Sequence, residues 1–218
     1  MKGGVVKLNN FAESRVILLE GDIGSGKSRL LHEFKQILAE EDVPIFTGSS
    51  EQVKMTTPYH VWQHIFEDVL QEDGKVKKFP ELKDDSIPLL NAVIPGLNLP
   101  ETPRIQQMTA QMRSESTQML LVNILRRIVG PGSVIILDNA HWLDSASWAL
   151  TVAVRQQIPG ILIILALRKM GDKVPFELNQ LMHHSGTTNI SLSNLTESES
   201  ALFIQQVREV FWREILMV

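Results

Sequence analysis

Eight consecutive residues, Gly21-Asp22-Ile23-Gly24-Ser25-Gly26-Lys27-Ser28, match the phosphate-binding pattern G-x-x-x-x-G-K-[ST] at every fixed position. The run before them, Val16–Glu20, reads as a buried strand. The run after them, Arg29–Leu38, has helical spacing and sets Leu30, Leu31, Phe34, Ile37 and Leu38 on one side. Strand, glycine loop and helix in that order leave few folds open. Glycines let the backbone curl until its N–H groups point inward at phosphate oxygens, and the positive end of the helix adds to the attraction. Gly21 through Ser28, with the first-turn residue Arg29, are therefore the expected nucleotide-binding residues. Lys27 is expected to reach the β- and γ-phosphates, and the Ser28 hydroxyl to ligate Mg²⁺.

Four further apolar runs read as strands: Pro44–Gly48, Val134–Asp138, Ile161–Leu167 and the weaker Thr188–Leu192, an expected edge strand. Unbroken Ile/Val/Leu runs indicate strands buried on both faces. Helical patterns alternate with them at Tyr59–Gln71, Ser114–Val129, Ser145–Gln157, Phe176–His183 and Thr196–Ile215. The alternation predicts an α/β fold: a doubly wound, mostly parallel five-stranded sheet flanked by helices. Residues 1–15 form an N-terminal extension and 16–195 the core. Residues 73–113 form a proline-rich insertion with a short helix near Ser86–Val93, read as a packed irregular crossover. Residues 196–218 form a C-terminal helix that begins a further region.

A phosphate loop needs an acidic partner at the end of a buried strand, close to the metal. Asp138, after Val134–Leu137, is that residue, so Ser28 and Asp138 are the expected Mg²⁺ ligands. The next position is Asn139. An amide can hold water but cannot accept its proton near neutral pH, so hydrolysis is expected to be slow or impaired. Asp144 reads as the N-cap of the following helix. His141 beside Trp142 reads as a packing residue, and Glu51 as part of a polar turn with a lesser claim as a substitute base.

The segment Asp138-Asn139-Ala140-His141-Trp142-Leu143-Asp144 resembles the D-D-x-H-W-x-D stretch of one group of P-loop ATPases. These are the STAND and origin-recognition-like AAA modules, as in LuxR/MalT-type regulators and the ATPase region of soluble, type-10-like adenylate cyclases. Thr56–Trp62 resembles their T-P-Y stretch, Leu165–Arg168 their strand-ending sensor arginine, and Ser191–Glu197 the segment after their fifth strand. The resemblance spans roughly residues 15–210. It implies ATP and Mg²⁺ as ligands, a γ-phosphate-sensing role for Arg168, and output to another protein or to further domains of a longer chain. Two departures accompany it. Asn139 stands where the group carries a second acid, and residues 1–15 lack the G-R-E-type segment that helps hold adenine. The chain stops at Val218, which reads as an isolated core, a short isoform or a fragment.

Composition narrows the alternatives. A formal net charge of −4 argues against direct nucleic-acid binding. The chain has no cysteine, which removes disulfides and thiolate metal sites and suits a reducing compartment. Its longest apolar run, Ile158–Leu167, is broken by Pro159-Gly160 and too short to insert in a bilayer, so a cytoplasmic protein is expected. A small-molecule kinase would want an arginine-rich lid, whereas residues 169–187 hold only Lys169 and Lys173 as cations. A scaffold with structural nucleotide is the remaining alternative. Cyclase chemistry is not expected, because the paired metal-binding aspartates it needs are missing.

Overall fold

The computed structural model describes residues 13–72, 75–76, 84–171 and 174–193. The expected helix Thr196–Ile215 and most of the N-terminal extension lie outside the described residues. In chain order the elements are β1 (Arg15–Gly21), α1 (Lys27–Glu40), β2 (Ile45–Ser49) and α2 (His60–Leu70). Two short strands follow, β3 (Gln71–Glu72) and β4 (Lys75–Val76), then α3 (Pro103–Gln106) and α4 (Ala110–Ile128). The chain continues through β5 (Val134–Asp138), α5 (Ser145–Gln157), β6 (Leu162–Leu167), α6 (Phe176–Met182) and β7 (Thr187–Leu192).

Five strands form one sheet in the order β2-β5-β6-β1-β7, and every pairing is parallel. β3 and β4 pair separately as an antiparallel ribbon. The expected doubly wound sheet is therefore observed, with no antiparallel strand in it. Alternate residues of each central strand enter two different cores. Val16, Leu18, Ile135, Leu137, Ile163 and Leu165 face the larger one, built with α2, α4, α5 and α6. Leu19, Val134, Ile136, Leu162, Ile164 and Ala166 face the smaller one, where Leu31 and Leu38 of α1 pack. This two-sided burial explains why the strands read as unbroken apolar runs rather than as alternation. β7 lies at the sheet edge, and its four central residues are exposed.

Three expectations need correction. Leu30 and Ile37 do not join the buried side of α1; they are exposed. Among the described residues α1 meets the sheet through Leu31, Leu38 and the half-buried Phe34. Leu30 and Ile37 each precede a buried leucine by one residue, about 100° around the helix, on a flank the sheet does not reach. α4 begins at Ala110 rather than Ser114, because Thr109 caps it by accepting the Met112 N–H on its hydroxyl. Tyr59 stands just outside α2, with a left-handed φ of 59°.

The described part of the insertion runs as a 3₁₀ helix over Asp84–Ala92, a short turn over Pro95–Leu97, α3 and the first turn of α4. Leu89, Leu90, Val93, Ile94 and Ile105 from it are buried in the larger core. The Asn91 side chain holds both the N–H and the carbonyl of Leu99, at 2.9 and 2.8 Å. The segment is thus a packed crossover. No helix among the described residues is long and apolar enough to cross a membrane.

Candidate functional site

The candidate residues gather at the carboxyl end of the parallel sheet, where β1 lies between β6 and β7. Open parallel sheets bind ligands at this end, at the point where successive connections diverge to opposite sides. The loop leaving β1 has its sharp bends at Gly24 and Gly26, with φ of 81° and 90°, and a Cβ at either would meet nothing within 4 Å. These two glycines are there for conformation, since the left-handed region is costly for a side chain. Gly21 is there for space: a Cβ would lie 2.5 Å from Ser25 Oγ and 2.9 Å from the Leu192 carbonyl of the neighbouring strand. The close approach of β7 to the loop has no sequence signal near Gly21.

Gly26 is the N-cap residue of α1, and no side chain caps that end. The first-turn N–H groups of Lys27, Ser28 and Arg29 can find no carbonyl within the helix. They present an uncapped, positive helix terminus beside a glycine loop, which is the donor set a phosphate chain requires. The Lys27 ammonium folds back over the loop. It donates to the Gly21 and Asp22 carbonyls at 2.8 and 2.7 Å, with Ser25 Oγ at 3.4 Å. A phosphate placed on the loop would meet a cation already held over it. Ile23, at the loop tip, is 73% exposed, and the Arg29 side chain runs along α1 beside Glu33 at 4.0 Å.

Ser28 and Asp138, far apart in the chain, meet here: the serine hydroxyl lies 3.3 Å from Asp138 Oδ2. Asp138 Oδ1 accepts the Asn139 N–H at 2.7 Å, which turns the other oxygen toward Ser28. A hydroxyl and a carboxylate oxygen side by side are hard oxygen donors of the kind Mg²⁺ takes, together with phosphate and water. The donor set fits the ion.

Asn139 has a left-handed φ of 55° and caps the short 3₁₀ turn Ala140–Trp142. Asparagine is one of the few residues that enters this region readily. Its amide nitrogen lies 3.5 Å from Ser49 Oγ at the end of β2. The turn is fixed by Ser50, which sequence reasoning missed. Its N–H donates to the Asp138 carbonyl at 3.1 Å and its hydroxyl to the Trp142 carbonyl at 2.9 Å. A serine after a strand is too common a pattern to have marked it. Glu51 is exposed and precedes the short turn Gln52–Lys54.

Asp144 caps α5 as expected and does more. Its Oδ1 accepts the Ser147 N–H at 2.9 Å and the Tyr59 N–H at 3.2 Å, while Oδ2 takes the Ser147 hydroxyl. One carboxylate thus ties the T-P-Y stretch to the H-W-x-D segment. Burial, and then the Asp144 charge, push the Tyr59 phenol above its ordinary range.

His141 lies against Trp142 with ring centres 4.7 Å apart and planes tilted by 43°. Burial holds its imidazole below the ordinary histidine value. The charges of Arg168 and Lys27 push the same way, against Asp138. Arg168 leaves the end of β6, half-buried, so Lys27, Asp138, His141 and Arg168 share one electrostatic environment. The arrangement sets cations and hard oxygen donors beside an uncapped helix terminus, chemistry that suits a Mg²⁺-chelated phosphate chain.

Residues 8–164 match the sequence model of the AAA ATPase domain. Adenylate cyclase type 10 of Oryctolagus cuniculus is 24% identical over 190 residues, covering 82% of this chain and 12% of that protein. The Homo sapiens protein of the same name is 25% identical over 166 residues, covering 71% and 10%. The match thus spans about a tenth of the length of these relatives. The structure of the Aeropyrum pernix ORC1 protein in complex with DNA superposes with a TM-score of 0.51 at 16% identity. It covers 89% of this chain and 44% of that one, a likeness of fold.

Proposed function

The chain belongs to the AAA ATPase domain family, and on that premise we propose that it is a nucleotide-switched module of a signalling protein, binding Mg·ATP and hydrolysing it slowly. Nucleotide binding is what the family membership carries. The observation that supports the Mg·ATP reading best is the meeting of Ser28 and Asp138 at 3.3 Å beside an uncapped helix terminus. In this reading the loop N–H groups and Lys27 hold the phosphates, and Ser28 and Asp138 hold Mg²⁺. The ion neutralises phosphate charge when bound. Arg168 contacts the terminal phosphate and reports its presence.

Asn139 orients water through its amide oxygen without taking a proton, so bound ATP persists. A long-lived ATP state suits a switch better than a motor. The likeness to adenylate cyclase type 10 supports a signalling setting. A net charge of −4 favours a protein, or further domains of a longer chain, over nucleic acid as the receiver of the signal. The lack of cysteine accords with a cytoplasmic location.

The test is a titration of wild type and Lys27→Ala with Mg·ATP, followed by turnover measured with and without small-molecule acceptors. We expect binding by wild type, loss of at least about tenfold in Lys27→Ala from the missing charge-assisted bonds, and turnover well below ordinary ATPase rates. A folded Lys27→Ala protein with unchanged affinity refutes the phosphate-loop assignment. Rapid transfer to an added acceptor establishes a kinase instead.

A further inference from the structure

We propose that His141 reads the terminal phosphate of the nucleotide, its imidazole N–H serving as a third donor beside the Lys27 ammonium and the Arg168 guanidinium. The inference rests on the nucleotide-binding reading above and assigns the discrimination between ATP and ADP within that site. It starts from an imbalance in hydrogen bonding. Both ring nitrogens of His141 are buried, and neither has a hydrogen-bond partner among the described residues. Buried polar groups are nearly always paired, and an exception calls for a reason.

A neutral imidazole carries one donor and one acceptor. Lys27 and Arg168, whose charges both act on the ring, are donors only. They can satisfy the acceptor nitrogen but never the N–H. Asp138 is the acceptor nearby, but its oxygens take the Asn139 N–H and the Ser28 hydroxyl, and neither is bonded to the ring. The missing partner is therefore an acceptor that arrives from outside. It must be attracted by the same two cations and seated against the Ser28–Asp138 pair. A phosphoryl group answers this description, and its three terminal oxygens can take separate donors.

In this proposal the acceptor is the terminal phosphate, the group a diphosphate lacks. Burial and the two cations also favour the neutral ring, so its N–H would meet the phosphate as a neutral donor to a charged acceptor. Ser50 holds the Trp142 carbonyl, and the indole lies against the imidazole at a tilt of 43°.

The experiment titrates the whole chain with Mg·ADP and with the Mg²⁺ complex of a β,γ-imido ATP analogue. Wild type, His141→Phe and His141→Gln are compared. Phenylalanine keeps a stacked ring without a donor, and glutamine restores an N–H. A hydrogen bond to a charged group is worth about 1.5–3 kcal/mol, so His141→Phe is expected to lose about 10–150-fold in affinity for the analogue. Its affinity for Mg·ADP should stay within about threefold, and His141→Gln should recover most of the loss. Unchanged affinity for the analogue in His141→Phe, or equal loss for both nucleotides, overturns the proposal and leaves the nucleotide site standing. Failure of wild type to bind either nucleotide overturns the nucleotide reading itself. Should His141→Phe not fold, nitrogen NMR of wild type labelled at histidine decides. A ring nitrogen of His141 must shift with the analogue and not with Mg·ADP, and identical spectra with the two refute the idea.

Discussion

At Asn139 one side chain meets two demands at once. The backbone there is left-handed, at a φ of 55°, and the position follows Asp138, the metal ligand we propose. Aspartate tolerates that conformation nearly as well as asparagine, whereas glutamate does not. Asn139→Asp is therefore expected to raise single-turnover hydrolysis about 10–100-fold, a part of what general-base assistance contributes, and Asn139→Glu less. An unchanged slow rate in both variants removes Asn139 as the limiting defect. His141 gives a residue-scale prediction in pH. Burial foremost, then Arg168 and Lys27, hold its folded value below the ordinary 6.5. The unfolded chain then takes up the proton first, so stability is intact above about pH 6.5 and falls as pH drops toward the folded value. Urea midpoints between about pH 7.5 and 5 should decline less in His141→Phe than in wild type. The placing of Asp138 at the end of a buried strand was legible in the sequence, because an apolar run that ends in a carboxylate is a local signal. The solitary burial of the His141 nitrogens was not, because it depends on what the fold places around them.

Between elements, Asp144 carries more than a cap usually does. It closes the first turn of α5 and also holds the N–H of Tyr59, a buried residue at a φ of 59°. A bulky residue in that region is strained and must be held by its surroundings. Asp144→Ala removes a cap worth about 1 kcal/mol and leaves buried donors unpaired at about 1–3 kcal/mol more. A loss of about 2–4 kcal/mol is expected, read as a fall of roughly 5–15 °C in Tm. A drop confined to about 1 kcal/mol would reduce Asp144 to a cap alone. The cap was visible in the sequence, since an aspartate before an apolar helical pattern is a local signal. The hold on Tyr59 was not, because the partner lies 85 residues away. Gly48 is a similar case. A Cβ there would lie 2.0 Å from the Val61 carbonyl of α2, a contact that only the packing of α2 on β2 creates.

For the molecule as a whole, Ser28 and Asp138 lie 110 residues apart in the chain and are brought together by the sheet. A ligand that binds only this assembled state stabilises all of it. At a hundred times its Kd, Mg·ATP should contribute about 2.7 kcal/mol, or roughly 5–11 °C in Tm. Chelating Mg²⁺ should shrink the shift, and Lys27→Ala should abolish it. A shift that ignores both treatments would locate binding elsewhere. The strand–loop–helix start, the alternation of elements and the identities of Lys27, Ser28 and Asp138 were set by the sequence alone. They rest on local rules: glycine's freedom, helical and strand periodicity, and the charge each side chain can bear. Tertiary structure decided the rest. The order β2-β5-β6-β1-β7 places β1 and β5 on either side of β6, and so brings the Ser28 hydroxyl against Asp138. It leaves Leu30 and Ile37 exposed, although their spacing fits a buried face, because α1 meets the smaller core through Leu31, Phe34 and Leu38 instead. Burial, close approach and unpaired donors belong to whichever elements come to lie side by side, and a chain read residue by residue carries no local record of them.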